Sequence, residues 1–305
     1  MTLACLALAA LGALGLCLWT PDRSRAELIA KYTRGPNEFM EVAGIRLRVR
    51  EAGPRDAPAV LLLHGFGSSL DTWNAWVEVL AKDFRTISID LPGAGLTGPD
   101  PRADYSDERC LAILLALLDQ LGIGQVDLIG NSLGGRIAWE FAAQYPTRVA
   151  RLVLVSPDGF ASPGFEYERH PDVPAVMTAM RYVLPRALLR MNLKPAYADP
   201  ARLTQSVVDR YYDMLLAPGV RSALLARMHQ TLLHDPRARL ASIRAPTLLL
   251  WGDEDHLIPA TNAQDYLATI PDCRLVALPD VGHVPQEEAP LASLVPLVRF
   301  LKGQS

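Results

Sequence analysis

Gly130-Asn131-Ser132-Leu133-Gly134 sets a serine between small residues, at a point where the chain changes periodicity. Before it, Val126 to Ile129 is an apolar run of strand length; after it, Ile137, Ala138 and Phe141 recur at helical spacing. A serine on so tight a strand-to-helix turn is held in a strained conformation, with its hydroxyl lifted clear of the sheet. The chemistry this suits is nucleophilic attack on a carbonyl. A serine hydroxyl is a weak nucleophile at neutral pH, so it needs a base within hydrogen-bond reach and an acid that fixes the tautomer of that base.

The chain has 6 histidines. His283, in Asp280-Val281-Gly282-His283-Val284-Pro285, follows the last predicted strand and precedes a final helix starting near Gln286, which makes it the candidate base. His64 ends an early strand, while His170, His229, His234 and His256 read as ordinary polar surface residues. Candidate acids lie in Trp251-Gly252-Asp253-Glu254-Asp255, at the carboxyl end of another predicted strand, where loop residues face the catalytic edge of a parallel sheet.

The elements that must position these groups alternate along the chain. Ala59 to Leu63, Arg85 to Ile89, Val126 to Ile129, Leu152 to Val155, Thr247 to Trp251 and Arg274 to Leu278 are continuous apolar runs, as expected of strands buried on both faces. Helical patterns such as Ser106 to Leu121 lie between them, so the fold class is α/β, a mostly parallel sheet covered by helices. Ile45 to Arg50 alternates apolar and basic residues, which predicts a half-exposed strand near the sheet edge with a solvated basic face. The alternation breaks over residues 157–245, far more chain than the roughly thirty residues of a minimal crossover. Met177, Met180, Leu184, Leu188 and Met191 form one helical stripe there, Tyr211, Leu215 and Leu216 begin another, and repeated prolines predict several short helices.

The chain is 50% hydrophobic with a formal net charge of -3, which argues against a nucleic-acid partner. Cys5, Cys17, Cys110 and Cys273 show neither a disulfide framework nor metal-ligand spacing, so no metal is expected. Residues 1–20 carry no charged side chain and as a helix would reach ~30 Å, close to the hydrocarbon thickness of a bilayer. With no basic n-region and no well-placed small-x-small site, the run reads as an uncleaved membrane anchor, with Trp19 at the interface and a linker over 21–37. Arg23, Arg25 and Lys31 favour a cytoplasmic body by the positive-inside bias.

From about Glu38 to Leu301 the chain resembles the α/β-hydrolases, on the serine turn, the acidic strand end and the late histidine quoted above. The resemblance implies a core over 38–156 and 246–305, a helical cap over 157–245 that roofs the nucleophile, and the order nucleophile, acid, base. In that family the acid is usually the third residue after the strand-end Trp-Gly or its equivalent, which selects Asp255 over Asp253; members that place it after the preceding strand would use Asp158. His64-Gly65-Phe66-Gly67 resembles the oxyanion loop, so the amides of Phe66 and Leu133 are the implied donors, and His64 itself braces the loop. Asp90-Leu91-Pro92-Gly93-Ala94-Gly95 resembles a scaffolding turn.

The implied catalytic residues are Ser132, Asp255 and His283, acting without metal or organic cofactor on a small-molecule ester. An apolar cap with an anchor resembles membrane-anchored monoacylglycerol-lipase-like hydrolases and implies a lipid-like ester. Asn131 beside the serine resembles hydrolases that cleave carbon–carbon bonds in ring-fission products, and marks Asn131 as a substrate-binding candidate. The remaining alternative is a non-catalytic ligand-binding protein on the same scaffold.

Overall fold

A computed structural model describes residues 18–162 and 166–304. Eight strands form one sheet in the order β1-β2-β4-β3-β5-β6-β7-β8. They are β1 (Phe39–Val42), β2 (Ile45–Ala52), β3 (Ala59–Leu63), β4 (Arg85–Ile89), β5 (Val126–Asn131), β6 (Val149–Val155), β7 (Thr247–Gly252) and β8 (Cys273–Leu278). β1–β2 and β2–β4 pair antiparallel, and every other neighbouring pair is parallel. From β3 the chain first winds to β4 and then returns to β5 on the other side. That reversal opens a crevice beyond the carboxyl ends of β3 and β5, where a doubly wound sheet binds its ligands.

The apolar runs become central strands because both their faces are covered. On one face α1 (Asp107–Gln120), α2 (Leu133–Gln144) and α3 (Asn262–Thr269) pack Leu114, Phe141 and Tyr266 against Leu61, Leu128 and Leu249. On the other, Trp73, Trp76, Leu294 and Leu297 pack against Leu62, Ile129 and Leu250. The α1 helix starts where Ser106 Oγ accepts from the Arg109 amide at 3.2 Å, with Asp107 and Glu108 favouring the positive helix end.

The basic face of β2 differs from its expectation. Arg46 is exposed, but Arg48 and Arg50 are buried. β1 covers the edge, and Glu38, Asp71 and Asp90 converge on the two guanidiniums; Arg48 Nη1 lies 2.9 Å from Asp71 and Arg50 Nε 2.9 Å from Glu38. A guanidinium can be buried only when paired and hydrogen-bonded, and this face supplies the partners.

The described residues of 157–245 lie between β6 and β7 and include short helices, among them α4 (Arg186–Leu193), α5 (Gln205–Leu215) and α6 (Val220–Gln230). Pro174 and Pro185 sit at the starts of two of these pieces. The predicted linker over 21–37 is instead a strap: it contains the helix Arg25–Tyr32, whose Leu28 packs with Tyr211, Met214 and Leu215. Its Lys31 Nζ and Tyr32 hydroxyl each lie 2.7 Å from Asp213 on α5.

The membrane anchor expected of residues 1–20 is overturned. Among the described residues no helix is long and apolar enough to cross a membrane, and residues 1–17 lie outside the described ones. Trp19, expected at a membrane interface, stacks on Tyr182 of the insertion at 5.5 Å, and the Thr20 amide donates to the Tyr182 carbonyl at 2.7 Å. The localisation inferred from that run is corrected with it, and the membrane as a partner is not supported.

Candidate active site

Ser132 is the residue between β5 and α2, with φ 55° and ψ −121°. Only a turn fixed from both sides keeps a side-chain-bearing residue there. Gly134 supplies one side: a Cβ on it would sit 2.2 Å from the Leu63 carbonyl oxygen, so the start of α2 lies directly on the end of β3. The serine is thereby held at the crevice.

His283 is in the loop after β8. A Cβ on Gly252 would sit 2.1 Å from the Val281 carbonyl oxygen, so the end of β7 presses on the histidine loop. That contact brings the acid of one loop to the imidazole of the other. Asp255 Oδ2 lies 2.8 Å from His283 Nδ1, and Asp255 Oδ1 accepts from the amides of Leu257 and Ile258, both at 2.9 Å. Burial tends to raise the Asp255 carboxyl, but the hydrogen bond and charge of His283 and the two amides outweigh it and hold the group below its ordinary value. An ionised Asp255 makes Nδ1 the protonated nitrogen and leaves Nε2 free to accept a proton.

The other candidate acids are engaged elsewhere. Asp253 accepts from the Asp280 amide at 2.8 Å, and Asp158 pairs with Arg136 at 3.0 Å. Of the other histidines, His64 is buried, accepts from the Leu91 amide at 3.0 Å and donates to the Gly65 carbonyl at 2.7 Å. Burial lowers its pKa and keeps it neutral, as a brace. His170, His229, His234 and His256 are exposed. Asp90 receives the Leu70 and Leu96 amides at 2.7 Å each, the work of a scaffolding turn.

Ser132, His283, Asn131 and Phe66 border one cavity of about 610 Å³ between the crevice and the insertion. Val176, Met177, Met180, Leu188, Leu215 and Leu224 are among the side chains that make its far wall apolar. Among the described residues the amides of Phe66 and Leu133 find no protein acceptor, and no hydrogen bond joins the Ser132 hydroxyl to His283. Asn131 donates to the carbonyls of Val155 and His283 at 3.1 Å and accepts from Gln286 at 3.2 Å, so its amide is engaged internally. Among the described residues no group of three His, Cys, Asp or Glu could hold a metal ion.

The sequence pattern of the alpha/beta hydrolase fold matches residues 58–290. This chain belongs to that family. Among relatives of this alpha/beta hydrolase, the dihydrolipoyllysine-residue acetyltransferase component of the acetoin cleaving system of Cupriavidus necator is 31% identical over 261 residues, 82% of this chain. The match spans 65% of that relative's length. A monoacylglycerol lipase of Xenopus laevis is 25% identical over 266 residues, covering 82% of this chain and 77% of the lipase. The structure of the meta-cleavage product hydrolase of Pseudomonas fluorescens IP01 superposes with a TM-score of 0.75 at 23% identity, covering 87% of this chain and 97% of the other, a likeness of fold alone.

Gln286, Tyr197, Arg210 and Glu287 also contribute near the crevice, and nothing in their spacing marks them in the sequence. Tyr197 and Arg210 come from the insertion and converge on Glu287, in the turn after His283. Burial, the nearby Glu287 charge and the hydrogen bond to it push the Tyr197 hydroxyl well above its ordinary value, so it stays a donor.

Proposed function

We propose that this alpha/beta hydrolase cleaves carboxylic esters with an apolar acyl group, using Ser132 as nucleophile, His283 as base and Asp255 as the residue that orients the base. The observation that carries the reading is the 2.8 Å contact of Asp255 with His283 on the wall of the cavity that Ser132 also borders. Ser132 attacks the ester carbonyl while His283 Nε2 takes its proton; His283 then gives that proton to the departing alcohol, and water releases the acyl group by the same exchange. Positioning of this kind tightens when substrate is bound, so an open contact between serine and histidine is compatible with it. The amides of Phe66 and Leu133, without protein acceptors, are the donors to the oxyanion; each is worth roughly 3–4 kcal/mol in the transition state.

The apolar far wall favours a hydrocarbon acyl chain, and similarity to a monoacylglycerol lipase points the same way. The carbon–carbon alternative rests on the resemblance that Asn131 carries, and the Asn131 amide, bonded to two carbonyls and Gln286, is not free to bind substrate. The test is turnover of p-nitrophenyl esters of rising acyl length, with a vinylogous diketo acid alongside. Expected are a preference for medium or long chains and loss of turnover in Ser132→Ala. Wild-type ester turnover in Ser132→Ala would overturn the mechanism.

A further inference from the structure

Glu287 lies four residues after His283 and outside the chemistry just described, yet its carboxylate is buried, with 5% of the side chain exposed. Four donors from two distant parts of the chain meet on it. Thr72, in the turn that follows the Phe66 loop, donates its hydroxyl to Oε1. From the insertion, Arg210 donates to Oε1 at 2.6 Å, Tyr211 to Oε1 at 3.2 Å and Tyr197 to Oε2 at 2.7 Å. The second layer of contacts repeats the pattern: Arg210 also donates to the Asp71 carbonyl at 3.1 Å, and Ser68 Oγ, on the cavity wall, donates to the Tyr211 hydroxyl at 3.3 Å.

We propose that Glu287 is a positioning residue that fixes the Phe66 loop, the insertion and the His283 loop at one spacing, so that the oxyanion amide and the base address the same carbonyl. The inference rests on the reading of Ser132 and His283 as nucleophile and base. A carboxylate suits the task because it accepts several bonds at once and is ionic to Arg210, whereas a neutral amide offers one acceptor oxygen and turns two N–H groups toward donors. The spacing it sets matters only when charge develops on the carbonyl. Its loss therefore lowers kcat rather than raising KM.

The experiment compares Glu287→Gln, Thr72→Val and Leu297→Ala with wild type, measuring melting temperature, kcat and KM on one chromogenic ester, and the rate of labelling by a fluorophosphonate. Leu297 is in the opposite core, so Leu297→Ala reports destabilisation alone. Expected is a roughly 10–100-fold fall in kcat and labelling rate for Glu287→Gln, with KM within about threefold, and a smaller fall for Thr72→Val. Leu297→Ala keeps kcat despite a lower melting temperature. If Glu287→Gln does not fold, Thr72→Val decides: a fall in kcat at unchanged KM supports the inference. Wild-type kcat in the folded variants overturns it. A wild-type chain that does not react with the fluorophosphonate removes the reading of Ser132 first, and this one with it.

Discussion

Asn131 donates its side-chain amide to the backbone carbonyl of His283 at 3.1 Å, so the residue before the strained serine holds the loop of the candidate base. The same amide reaches the Val155 carbonyl at 3.1 Å, tying β5, β6 and the histidine loop together at the crevice.

Asn131→Ala removes these bonds and leaves the His283 carbonyl without its side-chain donor, while the Val155 carbonyl keeps the Ser132 amide at 3.0 Å. Expected is a loss of about 1–3 kcal/mol in stability and a drop of at least tenfold in kcat, checked by chemical denaturation and steady-state kinetics. A change confined to KM would instead make Asn131 a substrate contact.

Asp255→Asn frees Nδ1 of His283 from its carboxylate and favours the wrong tautomer. By the general behaviour of such triads, kcat falls about 10⁴-fold at neutral pH. Asp158→Asn breaks the pair with Arg136 and leaves His283 untouched, so kcat stays within a few fold. Equal losses in the two variants would contradict the assignment of the acid.

On the proposed ester reading, the apolar wall is what sets acyl length. Leu224 and Met180 both line the cavity. Replacing either by Trp shortens the space opposite Ser132 and shifts the preferred p-nitrophenyl ester toward acetate and butyrate, with kcat on acetate within a few fold. An unchanged chain-length profile in both would show that the acyl group lies elsewhere.

Glu140, on the helix that begins after Ser132, has a pKa raised to about 7, mostly by burial and the nearby Asp107, with Arg239 and Arg136 opposing. An acid whose folded pKa is raised binds its proton more tightly folded than unfolded. Stability therefore falls as pH rises from the ordinary glutamate range through about 7. Glu140→Gln removes this dependence. Its melting temperature gains on wild type between pH 5 and pH 8, by roughly 2–4 °C for each kcal/mol. Parallel melting curves across that range would refute the assignment.

The strands and the serine turn are legible because each is written in adjacent residues. A run such as Ala59 to Leu63 has no polar side to expose, and a glycine on either side of Asn131-Ser132-Leu133 is demanded by backbone contacts that no other residue fits. The same local logic failed at β2, where Arg48 and Arg50 alternate with apolar residues as on a solvated face but meet Glu38, Asp71 and Asp90 inside the protein. Those carboxylates come from three other segments, and periodicity within one strand carries no information about them.

Sequence alone determined an α/β chain with a serine at a strand-to-helix turn, a late histidine and a choice of acids, because hydrophobic period and turn chemistry act over a few residues. Tertiary structure decided which acid reaches the histidine, that residues 21–32 strap the insertion, and that Glu287 gathers donors from the insertion and from the turn at Thr72. Hydrogen bonds and ion pairs act over about 3 Å. Residues far apart in sequence come within that range only once the sheet is wound.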